Sequence, residues 1–368
     1  MALKDSDIKK WEYSEHAKVK HLLLRKYLPA WITILGSFKK RLCYFDGFAG
    51  RGEYSDGSLG SPILALNAME EVYNNTKVRN FEFNCFFIEN DEDNYNNLKE
   101  IVENLKSDYP SVNYIECIHS DFDTKINEIL DQLEKNNKRL APSFFFIDPF
   151  GFTGVNFNTI RRILSQPKTE IFLNFMVRDV NRFLGLSNQE GNMNILFGNE
   201  KWKQLLDFKG KERQIALRDL YIDNLIDSGA AKYVWPFRIS EDNRCATLYY
   251  LIYATNHFRG LDAMKTIMYN QNEHFAYLGP DEHVYQMSKN QLKFIDFDKE
   301  NLKTYLLNTY NNVSKTYEQI KEETYMETPC ICKHYRAALK ELEKEGKVKI
   351  TRVSSKKTGL KGEDIVHF

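Results

Sequence analysis

Four acidic residues close to the ends of short apolar runs are the chemically distinctive feature of this 368-residue sequence. They are Asp46, Glu89, Asp121 and Asp148. Asp46 opens the stretch "DGFAGRG", in which three glycines fall within six residues. Glycine lets the backbone turn sharply and approach a ligand that a Cβ atom would hold away. An acid beside such a turn predicts a binding site outside the ends of neighbouring strands.

The charge and position of these residues indicate the class of ligand. Asp46 would repel a phosphate, whereas it would hold an ammonium or sulfonium group. Glu89 can accept both hydroxyls of a ribose, and Asp121 could accept a hydrogen from an adenine amino group. S-adenosylmethionine carries all these groups, and we predict that it is bound by Asp46, Gly47, Phe48, Ala49, Gly50, Gly52, Glu89 and Asp121. The structural alternatives are a tight glycine turn and acids that cap helices.

Two other nucleotide sites fit the glycine stretch less well. A dehydrogenase places its acid about 20 residues beyond the glycines, whereas Glu89 lies 37 residues after Gly52. A P-loop requires GKS or GKT after the glycines, and neither is present.

The stretch "SFFFIDPFGFTGV", residues 143–155, contains the predicted catalytic residues Asp148, Pro149 and Phe150. Methyl transfer from a sulfonium depends mainly on in-line positioning of the acceptor. The Asp148 carboxylate or the Pro149 carbonyl could hold a substrate N–H, and Phe150 could stack on an extruded base. The alternative is a turn at Pro149 and Gly151 with Phe150 in the core.

Local basic patches, rather than the overall charge, would have to attract nucleic acid, because 51 basic and 51 acidic residues cancel. We predict phosphate contacts from Arg178 and Arg182, for which a salt bridge to Asp179 or a solvated helix face is the alternative. Lys356 and Lys357 belong to a basic C-terminal region, residues 333–361, that could contact the phosphate backbone. The glutamates of that region make a plain solvated face an equal alternative.

The sequence predicts neither a metal site nor a membrane span. Cys330 and Cys332 are two positions apart, which suits zinc binding poorly, and His16 and His21 are expected to be surface residues. No apolar stretch approaches the ~18 to 20 residues that a membrane span needs, and no N-terminal apolar signal segment is present. We therefore expect a cytoplasmic protein.

Short apolar runs alternate with helical segments through most of the chain. Strands are predicted at 42–45, 83–88, 114–118, 144–147, 171–175 and 248–253, and helices at 62–72, 93–105, 124–135 and 158–164. Nearly continuous apolar runs indicate strands buried on both faces, which is typical of a parallel, doubly wound α/β sheet. Before them, residues 14–35 show helical spacing of apolar side chains, with Pro29 predicting a kink or two helices.

These patterns divide the chain into four predicted regions. They are an N-terminal helical segment (1–40), an α/β core (41–178 and 241–300), a helical insertion (179–240) and a C-terminal domain (301–368). In the last region, two helices, a strand, a basic loop and another strand outline a winged helix.

The motifs "DGFAGRG", "FFIEND", "FFFIDPFGF" and "YYLIYATNHFRGLDAM", with "KHLLLRKYLPAWITIL", resemble the three-Cys-motif partner protein family. They resemble class I S-adenosylmethionine-dependent methyltransferases more distantly. The resemblance implies a Rossmann-like methyltransferase fold and a genomic association with a separate three-cysteine, radical-S-adenosylmethionine-like partner. It assigns Asp46, Gly50, Gly52 and Glu89 to cofactor-binding positions, and Asp148 with Pro149 to the acceptor motif.

One departure concerns the acceptor motif. Methyltransferases that act on the adenine amino group usually have Asp or Asn, then two prolines, then an aromatic residue. Here one proline is absent and Phe150 is followed by Gly151, which leaves the target atom open.

The sequence therefore predicts an S-adenosylmethionine-dependent methyltransferase that acts on nucleic acid, with a base amino group as one candidate target. A non-catalytic cofactor- or nucleotide-binding adaptor that works with the three-cysteine partner is one alternative. A methyltransferase acting on protein or on a small molecule is another.

Overall fold

The structure, a computed structural model, describes residues 13–241, 246–277, 299–353 and 359–368. Within them, eight strands form one sheet: β1 (Arg41–Asp46), β2 (Glu82–Glu89), β3 (Tyr114–His119), β4 (Ser143–Ile147), β5 (Glu170–Phe175), β6 (Tyr233–Ser240), β7 (Thr247–Thr255) and β8 (Ala276–Tyr277). Their spatial order is β3-β2-β1-β4-β5-β7-β6-β8. The first five strands are parallel, and β7 runs antiparallel to both β5 and β6.

Helices cover both faces of this sheet. They are α1 (Glu15–Gly36), α2 (Ser61–Asn75), α3 (Glu92–Leu105), α4 (Phe122–Lys135), α5 (Phe157–Leu164), α6 (Val177–Phe183), α7 (Glu190–Phe197), α8 (Gly210–Asp227) and α9 (Phe258–Gln271). Helices α1, α2, α3 and α9 share one apolar cluster, and α4 to α8 share the other. Strands β4 and β5 are buried along their whole length, as their continuous apolar runs predict.

This arrangement confirms the predicted α/β class with a Rossmann-like, doubly wound sheet. The six predicted strands and the four predicted helices of the core are all present, with bounds that differ by a few residues. Pro29 lies inside α1, so Glu15–Gly36 forms one helix that Pro29 does not divide.

The predicted helical insertion, residues 179–240, needs a correction at its C-terminal end. Its last eight residues, Tyr233–Ser240, form β6 and pair with β7. The preceding part contains α7, α8 and two short 3₁₀ helices, Ser187–Gln189 and Lys201–Leu205.

The C-terminal region has the predicted winged-helix outline. Its elements are α10 (Lys299–Thr309), β9 (Ser314–Thr316), α11 (Tyr317–Thr324), α12 (Cys332–Lys344), β10 (Lys349–Thr351) and β11 (Ile365–His367). The three strands pair in the order β10-β11-β9. Apolar residues Tyr335, Leu339 and Leu342 of α12 are fully buried, and Gly346 adopts a positive φ of 69° just after this helix.

A buried lysine joins the winged helix to the sheet domain. Lys265 of α9 has no exposed surface, and its Nζ donates to the backbone oxygens of Tyr325 at 2.5 Å and Thr328 at 2.6 Å. The same Nζ lies 3.6 Å from the ring centre of Trp235 in β6. Beside it, the Tyr325 hydroxyl donates to Asp262 at 2.6 Å. The two units are thus connected by polar contacts that are shielded from water.

Among the residues that the structure describes, no helix is both long enough and apolar enough to cross a lipid bilayer.

Candidate functional site

A cleft of about 270 Å³ lies at the carboxyl ends of the parallel strands, where the strand order reverses between β1 and β4. Ligands bind at this point in doubly wound sheets. The loop after β1, the segment after β4, the end of β5 and one side of α1 form its walls. Of the predicted residues, those that line the cleft are Phe48, Ala49, Gly50, Gly52, Asp148, Pro149 and Phe150.

The loop after β1 is held in place by the end of β2. Both Gly50 and Gly52 have left-handed backbone angles, with φ of 64° and 87°. Glu89 Oε2 accepts a hydrogen bond from the Gly50 amide at 2.8 Å, and its Oε1 accepts one from the Asp91 amide at 2.8 Å. Each carboxylate oxygen of Glu89 keeps a second lone pair for another donor. Glu89 itself is half-buried beside the cleft rather than part of its lining.

Two of the predicted glycines are required by packing within the protein. A Cβ on Gly47 would lie 2.6 Å from the Phe122 ring, and one on Gly52 would lie 3.0 Å from Leu98. Gly47 does not line the cleft, so its missing side chain makes room for Phe122. Phe48, which is half-buried, also packs against Phe122. The turn after β1 therefore packs tightly against neighbouring side chains and also forms one wall of the cleft.

Asp46 is a fully buried carboxyl group with an unmet hydrogen-bonding capacity. The Tyr44 hydroxyl donates to its Oδ2 at 3.3 Å, whereas its Oδ1 has no hydrogen-bond partner among the described residues. Burial raises the pKa of Asp46 to about 7, and the negative charge of Asp148 contributes to the rise. Ser61 and the Phe48 amide lie close enough to oppose that rise, but neither makes a hydrogen bond of good geometry to Oδ1.

Both carboxylate oxygens of Asp148 are engaged by residues distant in the sequence. Lys20 of α1 forms an ion pair with Oδ2, and Asn174 at the end of β5 donates to Oδ1 at 2.8 Å. Lys20 is only 7% exposed, so the ion pair is largely shielded from solvent. Asp148 is therefore a neutralised carboxylate rather than an isolated negative charge.

The expectation that His21 is a surface residue is wrong. Its side chain is buried and lines the cleft, and its Nδ1 has no hydrogen-bond partner among the described residues. Burial lowers the pKa of His21 to about 3, helped by the charge of Lys20. The imidazole is consequently neutral at physiological pH. His16, one turn earlier, is half-buried and also lines the cleft.

Aromatic side chains connect α1 to the loop after β1. The Tyr54 ring lies 4.5 Å from the Tyr13 ring and 5.7 Å from the His21 ring, measured between ring centres. Because Tyr54 lines the cleft, these contacts bring the loop over it from the α1 side.

The remaining predicted residues differ in where the structure places them. Phe150 lines it and is 63% exposed, so the alternative of a core position does not hold. Asp121 caps α4 by accepting from the Thr124 amide at 2.9 Å, which is the structural alternative, and it does not line the cleft.

Arg178 and Arg182 are exposed on α6, and neither pairs with Asp179 among the described residues. Lys356 and Lys357 fall outside the residues that the structure describes.

Several cleft residues escaped sequence reasoning, notably Lys20, His21, Arg51, Asn174 and Tyr249. Lys20 and Asp148 are 128 positions apart, and Asn174 is 26 positions from Asp148. No local spacing connects them. The one usable signal was Asn174 in a run that is otherwise apolar, "IFLNFM". Within the described residues, no group of three His, Cys, Asp or Glu side chains could hold a metal ion.

Comparison with known proteins is informative mainly for the C-terminal domain. Residues 285–354 match the family model described as a GMT-like wHTH domain, in agreement with the winged helix. The match covers only this region of the chain. No curated protein matches the sequence.

Solved structures with similar folds include methyltransferases. A protein of family DUF519 from Legionella pneumophila is 15% identical, covering 70% of this chain and 91% of its own, with a TM-score of 0.43. A precorrin-6y C5,15-methyltransferase from Geobacter metallireducens is 10% identical, over 68% of this chain and 92% of its own, with a TM-score of 0.31. The methyltransferase domain of bacterial CtHen1-C is 8% identical, over 64% and 100%, with a TM-score of 0.32. These similarities are too low to assign a reaction, so function has to be argued from the site.

Proposed function

We propose that this protein is an S-adenosylmethionine-dependent methyltransferase that acts on nucleic acid. The observation that carries the proposal is Asp46, a buried carboxyl at the strand-order reversal, next to the cleft-lining loop, whose Oδ1 lacks a partner among the described residues. Asp46 itself is not among the residues that line the cleft. A buried acceptor without a donor is costly to the folded protein, so its presence at a ligand-binding edge of the sheet calls for a functional explanation. A ligand ammonium would supply the missing donor.

Other residues of the chain suit the other parts of the same ligand. Glu89 retains lone pairs for ribose hydroxyls, and the Asp121 carboxylate can accept from an adenine amino group in addition to the Thr124 amide. Arg51 lines the cleft, and its guanidinium could hold the methionine carboxylate in addition to its contact with Asn97. The chain therefore offers a partner of suitable chemistry to each polar group of S-adenosylmethionine.

When bound, S-adenosylmethionine would supply an electrophilic methyl group. A lone pair of the acceptor would form the new bond to this methyl group while the carbon–sulfur bond breaks and its electron pair stays on sulfur. The residues of this chain position the acceptor and remove its proton. Phe150 offers an exposed ring on which a base can stack. Asp148 can take the proton that the acceptor nitrogen sheds and pass it to water at the cleft mouth, since its side chain is 20% exposed.

Isothermal titration calorimetry with the full chain tests the cofactor. We expect S-adenosylmethionine and S-adenosylhomocysteine to bind and ATP and NAD to bind far more weakly. Stronger binding of ATP or NAD would contradict the proposal. Binding of S-adenosylmethionine without methyl transfer to DNA or RNA would favour the adaptor alternative.

The case for nucleic acid depends on α12, the helix that a winged helix places in the major groove. Four exposed basic residues recur at helical spacing on one face of it, and we call them the α12 basic stripe: Lys333, Arg336, Lys340 and Lys344. Within the described residues, no ion pair engages Arg336, Lys340 or Lys344. The stripe is therefore available to phosphates.

The glutamates of the same helix do not cancel this charge, because they are paired inside the domain. Glu343 accepts two hydrogen bonds from Arg352, at 2.8 and 2.6 Å. Glu341 and Glu345 both pair with Lys303, at 3.5 and 2.8 Å. The alternative of a mixed, solvated face is thus disfavoured, and the exposed side of α12 is basic.

A further inference from the structure

The chemistry of the methyl acceptor can be inferred from three groups that surround Asp148. Asn174 is only 5% exposed. Because a carboxylate oxygen of Asp148 can only accept, Asn174 must turn its Nδ2 towards it, and this orientation fixes Asn174 Oδ1 as an acceptor. That Oδ1 is buried and has no hydrogen-bond partner among the described residues. Asn174 lines the cleft beside Asp148, Pro149 and Phe150.

The charges in this part of the cleft cancel. Lys20 neutralises Asp148, and the neighbouring His21 is an uncharged imidazole with an Nδ1 that has no partner in the described chain. An anionic acceptor beside Asp148, such as a carboxylate or a thiolate, would find the Lys20 charge already paired and would face the lone pairs of Asn174 Oδ1. A group with N–H donors would instead satisfy that oxygen.

We propose that Asn174 Oδ1, next to the Lys20–Asp148 ion pair, forms the acceptor subsite and binds a neutral N–H group, such as an exocyclic base amine or a carboxamide. This inference rests on the proposed methyltransferase function and assigns its substrate chemistry. In it, Asn174 is the residue that binds the acceptor. Lys20 is a positioning residue that acts through Asp148.

Asn174 also explains how a departure from the amino-methyltransferase motif can be tolerated. The chain lacks one proline of that motif. Asn174 brings a second amide oxygen to the same place from β5, so that two acceptors, the Pro149 carbonyl and Asn174 Oδ1, are available to one amino group.

A pair of cofactor analogues tests this subsite without knowledge of the substrate. Sinefungin carries an amino group in place of the sulfonium methyl group, whereas S-adenosylhomocysteine carries nothing there. The measurement is the dissociation constant of sinefungin divided by that of S-adenosylhomocysteine. Both constants are determined by calorimetry at pH 7.5 on the full-length protein. We expect Asn174→Ala to weaken sinefungin about tenfold, the scale of one hydrogen bond, and to leave S-adenosylhomocysteine within about twofold.

A second variant should move the same ratio in the opposite direction. Lys20→Met removes a positive charge next to the sinefungin ammonium, so sinefungin should bind several-fold more tightly relative to S-adenosylhomocysteine. Lys18→Met, in the same helix but exposed and paired with Glu15, is the matched control and should change nothing. A merely destabilised protein would weaken both ligands together.

The outcomes separate the two proposals. Failure of the unmodified protein to bind S-adenosylhomocysteine would overturn the proposed function. Normal S-adenosylhomocysteine binding with an unchanged ratio in Asn174→Ala would overturn the acceptor subsite alone. A sinefungin to S-adenosylhomocysteine ratio of dissociation constants that is unchanged or raised in Lys20→Met would overturn the role given to the ion pair.

Discussion

At the end of β1, the Asp46 carboxyl group is held where water does not reach it. Desolvation disfavours its charged form, which is why its pKa rises from 3.8 to about 7. Because the folded protein binds this proton more tightly than the unfolded chain does, Asp46 contributes stability that is fully present below about pH 4. That contribution is lost as the pH rises through about 7. Asp46 thus lowers stability at neutral pH, which the proposed binding of the S-adenosylmethionine ammonium would explain.

Asp46→Asn should therefore stabilise the protein at high pH. The amide keeps the size of the side chain and removes the buried charge. We expect its free energy of unfolding to exceed that of the parent by roughly 2 kcal/mol more at pH 8 than at pH 5. Urea denaturation at the two pH values measures this difference. The same variant should bind S-adenosylmethionine at least tenfold more weakly at pH 8, and equal affinity would contradict the role of Asp46 in binding.

At the scale of single residues, sequence reasoning identified the acids and missed their partners. Asp46 and Asp148 could be placed because each directly follows an apolar run, and parallel strands bring such positions to one edge. Lys20 could not be placed, because only the folded chain brings α1 against the cleft. The assignment of His21 to the surface failed for the same reason, since its helix is buried on more sides than its polar sequence suggests.

Among the elements, α12 gives the clearest test of nucleic-acid binding. Reversing two charges of the α12 basic stripe, Lys340→Glu with Lys344→Glu, should weaken binding of a 20-base-pair duplex at least tenfold. It should also reduce the slope of log affinity against log salt by about 2, since each lost phosphate contact removes about one unit. Fluorescence anisotropy at several salt concentrations measures both quantities.

The control for that experiment lies on the other face of the sheet. Lys138 and Arg139 follow α4 and are also exposed, so reversing both makes the same change of net charge away from α12. An equal loss of binding in the two double variants would show that net charge, rather than the stripe, attracts the duplex.

Element prediction succeeded where a run was continuous and failed at β6. Pro236 and Arg238 interrupt the run "YVWPFRIS", and a proline argues against a central strand. In the structure, the short β8 pairs only with Arg238 and Ile239 of β6, so Pro236 lies where that side of the strand has no neighbour in the described sheet. The missing N–H is tolerated there, which a reading of the sequence could not anticipate.

For the molecule as a whole, the contacts of Lys265 govern how firmly the winged helix is attached. Lys265→Met would leave the carbonyl oxygens of Tyr325 and Thr328 buried without their donor. We expect a loss of about 3 kcal/mol in the free energy of unfolding, or two separate transitions in calorimetry. Lys232→Met is the matched control, because its exposed ion pair with Glu322 spans the same junction and should contribute less than about 1 kcal/mol. Similar losses in both variants would argue against the role given to Lys265.

The attachment of the winged helix to the sheet domain through Lys265 has a consequence for where a modified base would be found. If α12 binds a duplex as proposed, a winged helix held to the sheet domain by Lys265 would let the cleft reach only one stretch of that duplex. We expect modified positions to recur at a constant offset from the protected footprint, which nuclease protection combined with methylation mapping would reveal. Lys265→Met, which should weaken this attachment, is expected to make that offset more variable while modification is still detectable.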